Sequence, residues 1–176
     1  MCPAGTCSYP GENILQSHYI GTRSDRNNPG FGFQAREAFS IVALGYAVGT
    51  VAAQSTYIHL HTKGSTEDNG APGPIVASTT ASASDVRCSN GYVFSMLSSP
   101  YQVTQGHYYR LYRDTTGQSS DVYLDCGNCA GRSINLFGNL VSMTGHSVAY
   151  GYGGGLDTST NHFPRYTGAV TFFVGS

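Results

Sequence analysis

Tryptophan is absent from this chain of 176 residues, and charge is scarce. Lys, Arg, Asp and Glu together make up 11% of it, against about 25% in ordinary soluble domains. The polar surface must therefore come from Ser, Thr, Asn, Gln, Gly and Tyr. Basic residues form no cluster: Arg23 and Arg26 are separated by Asp25, and the rest are scattered. A nucleic-acid partner is accordingly not expected. The apolar run AFSIVALGYAVGTVAA (38–53) is broken by Gly45 and Gly49 and is too short to span a bilayer. The N-terminus MCPAGTCSYPGENIL has neither a basic head nor a long apolar stretch, so no signal peptide is expected in it. No Asn-x-Ser/Thr acceptor for N-linked sugar occurs.

Helical periodicity is missing as well, whereas period-two alternation recurs along the chain. Strands are expected at 39–48, 56–62, 73–82, 91–97, 101–104, 107–114, 121–125, 146–152 and 168–174. In the first of these, Phe39, Ile41 and Ala43 lie on one side and Ser40, Val42, Leu44 and Tyr46 on the other, so both faces read as buried. Turn chemistry falls between the strands: Asn69-Gly70, Asn90-Gly91, Gln105-Gly106, Thr116-Gly117 and Gly153-Gly154-Gly155. With 23 glycines and 13 tyrosines, the chain reads as an all-β antiparallel β-sandwich of jelly-roll type. One domain over 31–176 is expected, preceded by a loop-like arm over 1–30, with 153–166 as a long connection.

Five cysteines are present. Cys2 and Cys7 bracket a short turn, Cys126 and Cys129 form CGNC, and Cys88 stands alone. Disulfides among Cys2, Cys7, Cys126 and Cys129 are favoured over a four-thiolate zinc knuckle, because zinc knuckles normally use a tight CxxC on both sides. A redox role for CGNC is disfavoured by the lack of a helix to lower the thiol pKa. The odd number leaves Cys88 as a free or intermolecular thiol. Paired cysteines suit an oxidising compartment, so an extracellular or cell-surface location is expected, the chain being a mature form.

The segments GFGFQAREAFSIVALGYAV, YIHLHTKG, GPIVASTTAS and GYVFSMLSSPYQVTQGHYYRLYRD follow one another over residues 30–114. Their order and hydrophobic spacing resemble the jelly-roll modules of secreted and surface-anchored microbial proteins. The resemblance implies the sandwich fold and an extracellular setting, and it brings no catalytic residues with it. The opening CPAGTCSYPG is similar, over ten residues, to cysteine-rich extracellular repeats.

His59 and His61 point to one face of a strand, as two ligands of a metal would. Cupin sites share the His-x-His but place a Glu closer than Glu67 and use a later Pro-x-Gly motif that is missing here. His107 or His146 could complete a set only if the fold brought them near. The favoured reading puts Ile58 and Leu60 in the core, with Tyr57, His59 and His61 facing solvent or a neighbouring chain. No metal and no cofactor is expected. Asp114, Asp121 and Asp125 are candidate calcium ligands by residue type, but no ordered calcium loop contains them. There is no G-x-S-x-G elbow, and the acids sit mostly at turns. Tyr108 and Tyr112, with Tyr109 between them, crowd one strand, and Tyr150 and Tyr152 share a face of another. These phenols suit ordinary packing first, then a subunit interface, then sugar stacking. The expected function is a non-enzymatic extracellular structural or adhesive subunit that self-assembles, with residues 1–30 able to add a strand to a neighbour. A carbohydrate-binding module is the alternative, and a cupin-like metal enzyme the second.

Overall fold

The computed structural model describes residues 19–23, 30–47, 55–66, 73–82, 84–87, 92–114, 121–125, 135–136, 140–150, 156–157, 167–168 and 170–175. Among these residues there is no helix, and every strand pairing is antiparallel. The strands are β1 Tyr19–Arg23, β2 Gly30–Ala35, β3 Phe39–Ala47, β4 Thr56–Gly64, β5 Ile75–Ala81, β6 Val86–Arg87 and β7 Tyr92–Val103. They continue with β8 Tyr108–Asp114, β9 Asp121–Asp125, β10 Asn135–Leu136, β11 Val141–Tyr150, β12 Leu156–Asp157, β13 Thr167–Gly168 and β14 Val170–Gly175. One large sheet runs β10-β11-β2-β8-β4-β5, with β12 added to β11, and a four-stranded sheet runs β14-β3-β7-β6. A small third sheet, β1-β9-β13, touches the large one through β13 against β2 and β11. The fold is thus an all-β antiparallel sandwich, as the periodicity predicts. These strand orders do not by themselves fix a jelly-roll connectivity.

Alternation explains the core. The large sheet sends in Phe33 from β2, Tyr109 and Leu111 from β8, Ile58 and Leu60 from β4 and Val141 from β11. The smaller sheet answers with Phe39, Ile41, Leu44 and Tyr46 from β3, Val93 and Val103 from β7, and Val170 and Phe172 from β14. Each such side chain contributes on the order of 2 kcal/mol when removed from water. Aromatic rings join the layers: Phe33 stands 5.4 Å from Tyr109 within its own sheet and 5.4 Å from Phe172 across the core. Phe172 in turn stacks on Phe39 at 5.7 Å.

Strand β3 corrects the sequence reading. Phe39 and Ile41 do enter the core, but so do Leu44 and Tyr46, while Ala43 is outside that cluster. The reason is a bulge at Val42. Against β14, Ala43 pairs with Phe173 and Ile41 with Val174, leaving Val42 as the extra residue. One extra residue exchanges the two faces of a strand. On the other side, Ile41 pairs with Tyr101 and Ala43 with Met96, so residues 97–100 of β7 bulge at the same level. The two strands expected at 91–97 and 101–104 are therefore one, interrupted where Pro100 has no N–H to give. Three further differences follow from pairings that are distant in sequence. Residues 19–23 of the supposed loop-like arm pair with β9, β11 begins at Val141 rather than at 146, and Leu156–Asp157 within the supposed connection pairs with β11.

Two glycines hold the turns that set the large sheet. Gly106 has φ +79 in the turn Thr104–His107, which the His107 N–H closes on the Thr104 carbonyl at 3.2 Å. Gly73 has φ +82, and a Cβ there would collide with the Thr62 carbonyl oxygen. Nothing lies within 4 Å of a Cβ at Gly106, so its substitution carries only the cost of a left-handed backbone, about 1 kcal/mol. We expect Gly106→Ala to lower stability by about that amount in urea denaturation, and Gly73→Ala to lower it by clearly more. Equal losses would show that the Gly73 contact relaxes freely.

Candidate functional site

The chemistry-bearing side chains gather on the outer face of the large sheet, where β4 runs between β5 and β8. On β4, Thr56, Ile58 and Leu60 turn inward, so Tyr57, His59 and His61 turn outward. The register places Tyr57 opposite Asp114, His59 opposite Tyr112 and His61 opposite Arg110. Residues directly opposite share a face, so Arg110, Tyr112 and Asp114 join the same surface. Tyr109, Leu111 and Arg113 occupy the other face of β8. Arg113 is buried, with its guanidinium 5.0 Å from the centre of the Tyr46 ring. Burial pushes its pKa down to about 10, opposed by Tyr46. Even so lowered, it remains a cation at neutral pH, held over an aromatic face.

The outward residues form a column of rings. Tyr57 and His59 are near-parallel at 6.1 Å, His59 and Tyr112 lie 5.1 Å apart, and Tyr112 and His61 4.8 Å. Exposure falls steeply along it. Tyr57 is 57% exposed, whereas His61 is 4%, Tyr112 3% and Arg110 0% exposed. The expectation that Tyr57, His59 and His61 all face solvent or a neighbour therefore holds for Tyr57, is halved for His59 and fails for His61. His61 is covered because the segment at 73–74 folds back over the end of β4. Its Nδ1 lies 2.7 Å from the Gly73 carbonyl, and the Thr62 N–H donates to the Pro74 carbonyl at 3.1 Å. A carbonyl cannot donate, so Nδ1 carries the proton and Nε2 of neutral His61 is a bare acceptor. Nε2 of His61 and Nδ1 of His59 are both buried without a hydrogen-bond partner.

This geometry bears on the metal candidates His59 and His61. Two imidazoles bound to one tetrahedral zinc ion hold their ring centres about 5 Å apart. Here the ring centres are 6.5 Å apart with planes at 70°, and both rings pack against Tyr112 on the neighbouring strand. Among the described residues no three His, Cys, Asp or Glu side chains are grouped to hold a metal ion. His107 sits in the turn before Tyr108, which pairs with Gly64, beyond His61 from His59. The calcium candidates Asp121 and Asp125 terminate the two ends of β9, about 13 Å apart along the strand. Asp114 belongs to β8 in another sheet.

Of the tyrosine candidates, Tyr108 is half-buried at the start of β8 and Tyr112 is enclosed within the column. Tyr109, counted with them from sequence, is a core residue. Tyr150 ends β11, with its backbone opposite Leu156. Tyr152 and the cysteines Cys2, Cys7, Cys88, Cys126 and Cys129 lie outside the described residues. The residue singled out by the structure is Tyr57, an exposed ring at the open end of the column. Alternation alone puts it outward; only the register shows what stands beside it. The described residues contain no helix long and apolar enough to cross a membrane. In comparisons with known proteins, no family model and no curated protein matches the chain.

Both imidazoles hold protons more weakly than the ordinary value of 6.5. For His59 the cause is burial, opposed by Asp114. For His61 it is burial, opposed by the Gly73 hydrogen bond and reinforced by His59 and Arg110. A folded-state pKa below the unfolded one means that the unfolded chain takes up protons first as pH falls. Stability from this column is therefore complete above about pH 6.5 and is lost as pH drops toward the lowered values. The urea midpoint should fall between pH 7.5 and 5.5. The decline should be shallower in a His59→Gln/His61→Gln variant, and parallel declines would remove the column as its source.

Proposed function

We propose that this chain is a non-catalytic, extracellular structural subunit that assembles with copies of itself through the β5 edge of its large sheet. One observation carries the reading. β5 ends the strand order of its sheet, with no further strand paired to it among the described residues, and beside it β7 meets it only through side-chain contacts such as Thr79 Oγ1 to Ser95 Oγ at 3.0 Å. Its sequence IVASTTA has no charge and no proline, two of the features that ordinarily stop an edge from pairing with another chain, and its one interruption is a bulge at Val76, where Leu60 pairs with Ala77 and His61 with Ile75. Ile75 on this edge is 51% exposed. Met96, on the strand that β5 touches across the sandwich, is 62% exposed, and the Thr79 hydroxyl donates to its carbonyl at 3.3 Å. Several other edges are shorter or covered. β6, β10 and β13 have two residues each, and Val170, Thr171 and Phe172 of β14 are buried.

Several sequence features support the same setting. A net charge of −1 gives little repulsion between copies, and paired cysteines suit an oxidising compartment. Strand donation by the arm 1–30 is the less favoured route, because residues 19–23 already pair with β9 of the same chain. A second reading, a carbohydrate-binding module, is favoured by the open ring of Tyr57. The cupin-like metal enzyme draws no support from imidazoles that pack against a phenol.

Light scattering after size exclusion tests the proposal, run with and without reductant. Particles well above 18.6 kDa are expected, and Ile75→Lys, a change at an exposed position, should shift them to monomer with unchanged circular dichroism. A monomer in both conditions, or assembly unaffected by Ile75→Lys, would overturn it. Dissociation on reduction alone would transfer the contact to a thiol such as Cys88.

A further inference from the structure

We infer that His61 and the segment 73–74 form an acid-operated latch at the start of β5, closed while the imidazole is neutral and opened when it takes up a second ring proton. Its consequence, that acid loosens the β5 edge and weakens assembly, rests on the β5-edge reading above. Three contacts close the latch. His61 Nδ1 donates to the Gly73 carbonyl at 2.7 Å, and the Thr62 N–H donates to the Pro74 carbonyl at 3.1 Å. Gly73, at φ +82, comes so near Thr62 that a Cβ would strike the Thr62 carbonyl oxygen. Ile75 follows directly and pairs with His61. A segment that lifts at 73–74 therefore frays β5 at its exposed apolar residue.

The closed latch has no place for that proton. It would sit on Nε2, which is buried without a hydrogen-bond partner. A charged N–H left there, facing neither acceptor nor water, is strongly disfavoured. The groups around His61 oppose the proton further. Arg110 stands opposite on β8, buried and a permanent cation. On β4 itself, the His59 ring centre is 6.5 Å away, and the Lys63 stem lies near Gly73. β5 carries no titratable group. Tyr112 packs on His61 at 4.8 Å; an aromatic face attracts a cation but replaces neither acceptor nor water. Tyr108, further along β8, pairs with Gly64. Asp114, the carboxylate on this face among the described residues, stands opposite Tyr57 and acts on His59. Glu67 and Asp68 lie outside the described residues. Lifting 73–74 gives Nε2 water, so proton uptake and opening favour each other.

Amide hydrogen exchange followed by NMR at pH 7.5 and 5.5, with the intrinsic pH dependence of exchange divided out, tests the latch. The Thr62 N–H should exchange through openings more frequent than those that release the Leu111 N–H, mid-strand in β8. Its protection should fall by up to about tenfold between the two pH values, the largest ratio one imidazole of ordinary pKa can produce over that interval. His61→Gln, whose amide still donates to the Gly73 carbonyl, should lose that dependence. Thr62 protection equal to that of Leu111 in the unmodified chain, or a fall unchanged by His61→Gln, would overturn the latch. Light scattering at the same two pH values reads the consequence. Particles should shrink at pH 5.5 in the unmodified chain and not in His61→Gln. Particles of equal size at both pH values would overturn the coupling to β5. A monomer at both would overturn the β5-edge reading, with the latch still decided by Thr62.

Discussion

Burial of β8 on both faces is the constraint on which the rest of the structure depends. Residues 109–113 are all buried, so this strand must satisfy two environments at once. Tyr109 and Leu111 do so inward in the ordinary way, by apolar packing against Phe33, Ile58 and Leu60. The outward residues Arg110 and Tyr112 are polar or amphipathic, and a buried polar group is tolerated only when its surroundings are polar too. The strands beside β8 are chosen accordingly. β4 brings His59 and His61 to the outer face, while β2 contributes Gly30, where a Cβ would strike the Leu111 carbonyl and the Tyr112 side chain. Close approach on one flank and stacked rings on the other let a large phenol be enclosed there.

The same constraint explains why the histidines look like a ligand pair without converging as one. Both rings pack against Tyr112 on the neighbouring strand, and the Gly73 carbonyl fixes the proton of His61. Burial then weakens proton binding by both rings, which makes the outer face sensitive to mild acid. The ring column is a packing device in its buried half. At Tyr57 it emerges into solvent.

Much of the architecture was legible beforehand because alternation is a local property. The strands β4, β5, β8 and β9, the Gln105-Gly106 turn and the inward placement of Ile58 and Leu60 follow from residue spacing and turn chemistry. The misreadings share a cause. Val42 is a bulge that no side-chain pattern announces, since β3 is apolar on both faces. Ser98-Ser99-Pro100 has the composition of a turn, yet the chain continues as β7 because β3 bulges opposite it. β1 and β12 are short and depend on partners about a hundred residues away or on the far side of a glycine-rich stretch.

The sequence by itself determined the class of fold, the low-charge surface, the outward phase of Tyr57, His59 and His61, and the lack of charge on β5. These are consequences of composition and period two, which need no knowledge of neighbours. Only the tertiary structure decided which strands stand together, and therefore that His61 and Tyr112 are buried while Tyr57 is open, that Asp114 stands opposite it, and that β5 ends its sheet. Burial and adjacency are properties of pairs of segments far apart in the chain, and residue spacing within one segment cannot encode them.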